Sequence, residues 1–234
     1  MGRMKCLTIV WIVLTLDLGA VSTLAAETNL AAKCHASKGR PALDICRRAV
    51  KAGPNDQRLR QRLGYLYLEL GLYTGSVETF KSMTRKWPES WRAHYDLATI
   101  YSYIRAYDFA LPAIESAVRL NGKSIDALTL AVVIYKNLKR NRDAFRLALK
   151  ASELGDVGSM AVTAFNYEEG AGTKKDPAKA VHWLRRAAQG GHVGAMNQMS
   201  ALYLEGGLGL KPDEEKAKMW AAKSRQARFG DMKK

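Results

Sequence analysis

Apolar residues along this chain recur with the three-to-four-residue spacing of helices that bury one face, and no segment alternates in steps of two as a half-exposed strand does. The pattern also repeats itself. Gly155-Asp156-Val157-Gly158-Ser159-Met160 returns as Gly191-His192-Val193-Gly194-Ala195-Met196, a shift of 36 residues. Tyr167, Glu169 and Gly170 return as Tyr203, Glu205 and Gly206. After one inserted residue, Asp176, Lys179, Ala180, Trp183 and Gln189 return as Asp213, Lys216, Ala217, Trp220 and Gln226, now 37 apart. Upstream the period is 34: it separates Tyr67, Tyr101 and Tyr135, and also Leu63 from Leu97, Ser76 from Ala110 and Met83 from Ala117. Periods of this size belong to arrays of stacked units, each burying its apolar face against its neighbours. The pattern predicts helices near 28–37, 41–52, 56–71, 74–87, 90–105, 108–120, 124–138, 141–154, 157–169, 177–189, 193–205 and 213–228.

The punctuation agrees. Asp176 can cap a helix that has Pro177 at its first position, where no amide donor is needed. Gly170-Ala171-Gly172 permits positive backbone torsions in the turn before it, and Gly190-Gly191 ends it. Ala180, Trp183, Ala187 and Ala188 form one apolar stripe, with small residues where a neighbouring helix comes close. Ser224 and Arg225 replace Ala187 and Ala188 in the second copy, as expected of a polar terminal cap. Pro112 is tolerable only if its helix begins close by.

The residues Tyr167-x-x-Gly170-x-Gly172-x-x-x-Asp176-x-x-Lys179-Ala180-x-x-Trp183-x-x-x-Ala187-Ala188-x-x-Gly191 resemble the Sel-one-like repeat, a helix-loop-helix relative of the tetratricopeptide repeat. Leu63-Gly64, Tyr67, Gly71, Phe80 and Pro88 resemble the tetratricopeptide repeat itself. The third unit departs from that pattern, with Ala148 in the place of Phe80 and no closing proline. Together these resemblances imply an all-α, right-handed helix-turn-helix solenoid. Its expected divisions are a signal peptide at 1–26, a partial leading repeat at 27–56, three tetratricopeptide-like repeats at 57–154, two Sel-one-like repeats at 155–228 and a basic tail at 229–234.

Residues 1–26 read as a secretory signal: Arg3 and Lys5 precede an apolar run from Cys6 to Leu16, and small residues follow before Glu27. The rival is an uncleaved inner-membrane anchor, in which case the chain would meet the membrane. Asp17 interrupts that run, and a span needs about 20 mainly apolar residues. A periplasmic or secreted location is therefore expected. Cleavage would leave Cys34 and Cys46, and an even pair in an exported chain points to one disulfide.

Chemistry is sparse. The four histidines are scattered without ligand spacing, and no nucleophile motif occurs. The stretch Ala117 to Ser124 only superficially resembles a phosphate loop; Gly122 reads as a helix end and Ser124 as the next cap. Glu168-Glu169 and Glu214-Glu215 are adjacent on helices, so their carboxylates point apart. Trp183, Trp220, Tyr67, Tyr101 and Tyr135 fall at repeat-core positions. We expect no enzyme activity, metal or cofactor; a hydrolase of the Sel-one-like class is a distant third reading, for which repeats 155–227 lack the Cys pair found in the members that carry a β-lactamase label.

The chain carries 37 Lys and Arg against 22 Asp and Glu, a net charge of +15. The excess concentrates between Lys33 and Arg62 and between Lys136 and Lys150. Export excludes nucleic acid as the natural partner of that charge and favours an acidic protein or peptide. An anionic envelope polymer, peptidoglycan or exopolysaccharide, is the alternative, and a solvated basic face competes with both. The resemblance implies a bacterial periplasmic adaptor or regulator whose concave groove is lined by the first helix of each repeat. Carried over to this sequence, the lining residues are Arg58, Gln61, Arg62 and Tyr65, then Arg92, Tyr95, Thr99, Ser102 and Tyr103, then Asp126, Thr129, Val133 and Lys136. The Lys and Asn pattern of the family's carboxylate clamp is missing. The groove instead offers Arg and Tyr, residue types enriched at binding hot spots.

Overall fold

The computed structural model describes residues 29–230, and the expected signal peptide and the last four residues of the basic tail lie outside them. Helix α1 runs over 29–36. It is followed by α2 (Gly39–Ala52), α3 (Gln57–Glu69), α4 (Tyr73–Lys86), α5 (Trp91–Tyr103), α6 (Tyr107–Leu120) and α7 (Ile125–Asn137). The chain continues with α8 (Asn141–Glu153), α9 (Val157–Glu169), α10 (Pro177–Gln189), α11 (Val193–Glu205) and α12 (Glu214–Gly230). These bounds lie within two residues of the predicted ones. Among the described residues there is no strand, only an isolated bridge between Gly207 and Leu210. No described helix is long and apolar enough to cross a membrane.

Helix starts are fixed by side chains that recur with the repeat. Asp56, Ser90, Ser124, Asp156 and His192 each accept a hydrogen bond from the amide three residues on, opening α3, α5, α7, α9 and α11. Each satisfies a donor that the first helical turn leaves without a partner. Ser124 is thus a cap, and the segment before it is helical rather than a phosphate-loop strand. Pro112 sits as the sixth residue of α6, deeper than the first turn. Its ring removes one helix bond to Asp108, and both residues lie on the exposed face of α6.

The chain forms two compact units, the first ending at Ile100 and the second beginning at Tyr101. In the first, Cys34 and Cys46 form a disulfide with Cα atoms 4.7 Å apart. Both are fully buried and join Ala42, Ala49, Leu59, Leu63 and Leu66 in one cluster. Chain-entropy estimates put a short loop of this kind at about 3 kcal/mol. Gly64 lies against Phe80 so closely that an added Cβ would come 2.6 Å from the ring. That is why a glycine stands where the helices of this repeat touch.

In the second unit successive helices from α6 to α12 pack on one another. Its C-terminal core gathers Met160, Tyr167, Trp183, Leu184, Met199, Tyr203 and Trp220. Gly170 and Gly172 both have positive φ, and a Cβ on Gly172 would lie 2.1 Å from the Asn141 carbonyl oxygen. Ser224 differs from the expected polar outer cap. It is 3% exposed, and its hydroxyl bonds Asn197, so it works as a satisfied interior residue while Arg225 faces outward.

Candidate functional site

Arg58, Gln61, Arg62 and Tyr65 are spaced by three and four along α3 and therefore share one face. Arg58, Gln61 and Arg92 line a depression of about 660 Å³ together with Asn55, Gln57 and Trp91. Arg58, Gln61, Arg62 and Tyr65 line a second depression of about 530 Å³ with His35 and Glu69. The two depressions share Arg58 and Gln61. Five of the predicted residues are thereby brought to one stretch of surface in the first unit.

The residue that organises this surface is Asp96, which is 2% exposed. Its carboxylate accepts from Gln61 Nε2 at 2.7 Å on one oxygen and from the Tyr65 hydroxyl at 2.7 Å on the other. Burial raises the Asp96 carboxyl above the ordinary range, while Tyr65, Gln61 and the nearby Arg92 pull it the other way. Burial, and then the charge of Asp96, push the Tyr65 hydroxyl far up, so it is a donor throughout the physiological range. Tyr65 also meets the Phe80 ring edge-on at 5.2 Å between centroids. Gln61 and Tyr65 are therefore fixed from below, which reduces the rotamer freedom they would lose on binding.

The other predicted residues divide. Arg62 is spent internally, donating to Glu69 at 2.9 Å and to the Ser37 carbonyl at 3.0 Å. Thr99 turns its hydroxyl to the Tyr95 carbonyl of its own helix. Tyr95 packs edge-on to Trp91, and Arg92 lies over the Trp91 ring at 4.9 Å. Arg58 is exposed and has no hydrogen bond or ion pair among the described residues. Tyr103 belongs to the second unit, where it is 62% exposed. Val133, in the same unit, is 48% exposed, and Thr129 bonds the Ile125 carbonyl.

Sequence reasoning missed Asp96. One period away stand Arg62 and Leu130, so the repeat frame gives no carboxylate at this place. The available signal was its position beside the apolar stripe of Ala93, Leu97 and Ile100, where a lone carboxylate must find donors.

In the Sel-one-like section the signature residues act on one another. Asp176 caps α10 through the Lys179 amide and pairs with the Lys179 side chain at 3.2 Å, and that ammonium lies 5.3 Å from the centre of the Tyr167 ring. Asp213, Lys216 and Tyr203 repeat the arrangement. Trp183 and Trp220 are 7% and 5% exposed and covered by Arg186 and Lys223, respectively, so both serve packing. Among the described residues no three His, Cys, Asp or Glu side chains gather where a metal could be held.

The Sel1 repeat family is matched at residues 136–156, 159–192 and 193–227. The first match overlaps the end of the stretch expected to be the third tetratricopeptide-like unit and runs two residues beyond it. Chitin synthase regulatory factor 2 of Schizosaccharomyces pombe is 31% identical over 117 residues. Those residues are 48% of this chain but only 23% of the yeast protein. A Sel1 repeat protein from Oxalobacter formigenes superposes with a TM-score of 0.57 at 22% identity, over 80% of this chain and 79% of that one. YrrB, a tetratricopeptide-repeat protein with an unusual peptide-binding site, gives 0.51 at 18% identity, over 64% and 76%. The C-terminal part of this chain matches the Sel1 repeat, and each unit is all-α, of the helix-turn-helix class that these solenoid structures share.

Proposed function

We propose that the protein is a non-catalytic adaptor that binds a protein or peptide, of acidic character, on the α3–α5 surface of its first unit. One observation carries this reading. Arg58 and Arg92, one period apart, flank a depression whose polar floor is fixed by Asp96, and neither guanidinium forms an ion pair among the described residues. Such a surface offers charge-assisted hydrogen bonds at low ordering cost. Sel1-like and tetratricopeptide-like folds serve widely as interaction scaffolds, and YrrB carries an unusual peptide-binding site. The buried disulfide fits an oxidising compartment, so we place the protein in the cell envelope after removal of residues 1–26.

The test is crosslinking capture from envelope fractions with the parent and with Arg58→Glu plus Arg92→Glu. The reading expects the parent to retain a protein partner and the variant to lose it, with equal helicity and melting. Capture of the same partner by both would move the site elsewhere. Retention of peptidoglycan or exopolysaccharide by the parent, with no protein partner, would make the polymer the ligand.

A further inference from the structure

Helices α6, α7 and α8 of the second unit line a pocket of about 280 Å³, and none of its lining residues belongs to the α3–α5 surface. Its inner wall is apolar, formed by Val118, Leu147 and the ring of Tyr135, which is 5% exposed. Its remaining lining is charged: Glu115 and Arg119 from α6, and Arg146 from α8. The Tyr135 hydroxyl donates to Glu115 Oε1 at 2.6 Å and so anchors that carboxylate, leaving its second oxygen available. Burial and this bond push the Tyr135 hydroxyl up to about 12, which keeps it a donor at neutral pH.

Neither guanidinium has a close acid to itself. Arg119 makes no hydrogen bond or ion pair among the described residues. Arg146 reaches Asp143 only at 3.5 Å, and Asp143 is already held at 2.9 Å by Arg140. An apolar wall, two poorly compensated cations and one anchored carboxylate call for the reverse set in a ligand. That set is an apolar side chain, a carboxylate, and an amine or amide N–H close to it.

We propose that this pocket binds the carboxylate end of an apolar α-amino acid, presented free or as the C-terminal residue of a peptide. Arg119 and Arg146 hold the carboxylate, Glu115 accepts from the amine or amide N–H, and Val118, Leu147 and the Tyr135 ring receive the side chain. The volume lies just under the roughly 300 Å³ at which sites for larger ligands begin, so one residue enters and the rest of a peptide stays outside. This site is independent of the α3–α5 reading and can stand or fall without it.

The experiment titrates the protein with leucine, N-acetyl-leucine and leucinamide, following the Tyr135 ring resonances by NMR and affinity by calorimetry. One or both carboxylate probes should shift Tyr135, and leucinamide should bind at least about ten-fold more weakly, the scale of one lost charge-assisted bond. Tighter binding of leucine identifies the free amino acid as the source of the chemistry, and tighter binding of N-acetyl-leucine identifies a peptide end. Arg119→Gln with Arg146→Gln should weaken the preferred carboxylate probe by a similar factor without lowering the melting temperature, since both side chains are exposed. Equal binding of leucinamide, or no Tyr135 shift with either carboxylate into the millimolar range, overturns the proposal whatever the variant does.

Discussion

Arg105 and Lys139 hold left-handed backbone, both at φ 59, one period apart and one period after Gly71 at φ 71. All three begin the same turn between paired helices. Only the first copy uses the residue for which that torsion is free, because a Cβ crowds the following carbonyl there. Both later side chains are exposed, so nothing is lost by removing them. Arg105→Gly and Lys139→Gly should each stabilise the fold by about 0.5–1 kcal/mol, read as a rise in the denaturant midpoint. Asp96 behaves in the opposite sense. Its folded-state carboxyl lies above the ordinary range, chiefly through burial. The folded protein therefore holds this proton over a pH window in which the unfolded chain has released it. Asp96 supports the fold most below the ordinary carboxylate pKa, and that support is lost as pH rises through the raised value. Asp96→Asn keeps a partner for Tyr65, and Gln61 can turn its carbonyl to the new amide. The variant should match or exceed the parent at neutral pH, with the difference vanishing on acidification through that window. Asp96→Ala should instead cost about 1–3 kcal/mol, because it leaves the Tyr65 hydroxyl and the Gln61 amide without an acceptor. Chemical denaturation from pH 4 to 7 checks both.

The element is the scale at which the sequence was most legible, and the caps show why. Asp56, Ser90 and Ser124 stand one period apart, so the same start signal recurs at three successive repeats. The α3–α5 surface was half legible. Its outward Arg58 and Arg92 followed from the repeat frame. The inward use of Arg62 by Glu69 and Ser37, and of Gln61 and Tyr65 by Asp96, did not. The Asp96 bonds join two helices, the Ser37 bond reaches a connecting turn, and the Arg62–Glu69 pair spans two turns of α3 itself, beyond the three- and four-residue spacing that flags helical neighbours. The Sel1 helices add a testable pH dependence. Asp176 and Asp213 lie at the starts of α10 and α12, and both carboxyls are held below the ordinary range. For Asp176 the backbone amide of Lys179 contributes most, and for Asp213 the Lys216 side chain does. A lowered folded pKa gives stability that is present above the unfolded value and lost as pH falls through the folded one. Asp176→Asn with Asp213→Asn retains an acceptor for the cap but removes the charge. The parent should fray at α10 and α12 below the ordinary carboxylate pKa while the double variant changes less, as hydrogen exchange of the amides in their first turns would report.

For the whole molecule the ruling quantity is a net charge of +15. Such a charge draws any acidic partner toward the protein before a site is chosen, and it does so less as salt rises, with screening over about 8–10 Å at physiological strength. Salt-sensitive capture alone would therefore not locate the contact. Two charge reversals distinguish a field effect from a site. Arg58→Glu with Arg92→Glu alters the α3–α5 surface, and Lys136→Glu with Arg142→Glu alters the second basic run by the same amount of charge. All four residues are exposed, and none of them is a hydrogen-bond partner of Asp96. If net charge alone governs association, both variants slow it equally and leave dissociation unchanged. If the α3–α5 surface holds the partner, only the first pair accelerates dissociation, because truncating direct contacts acts mainly on the off-rate. We expect that second outcome in surface-plasmon measurements at two salt concentrations, with capture lost for the α3–α5 variant and only slowed for the other. A fast off-rate confined to the Lys136 and Arg142 variant would place the contact on the second basic run and leave Arg58 and Arg92 as solvated surface charge.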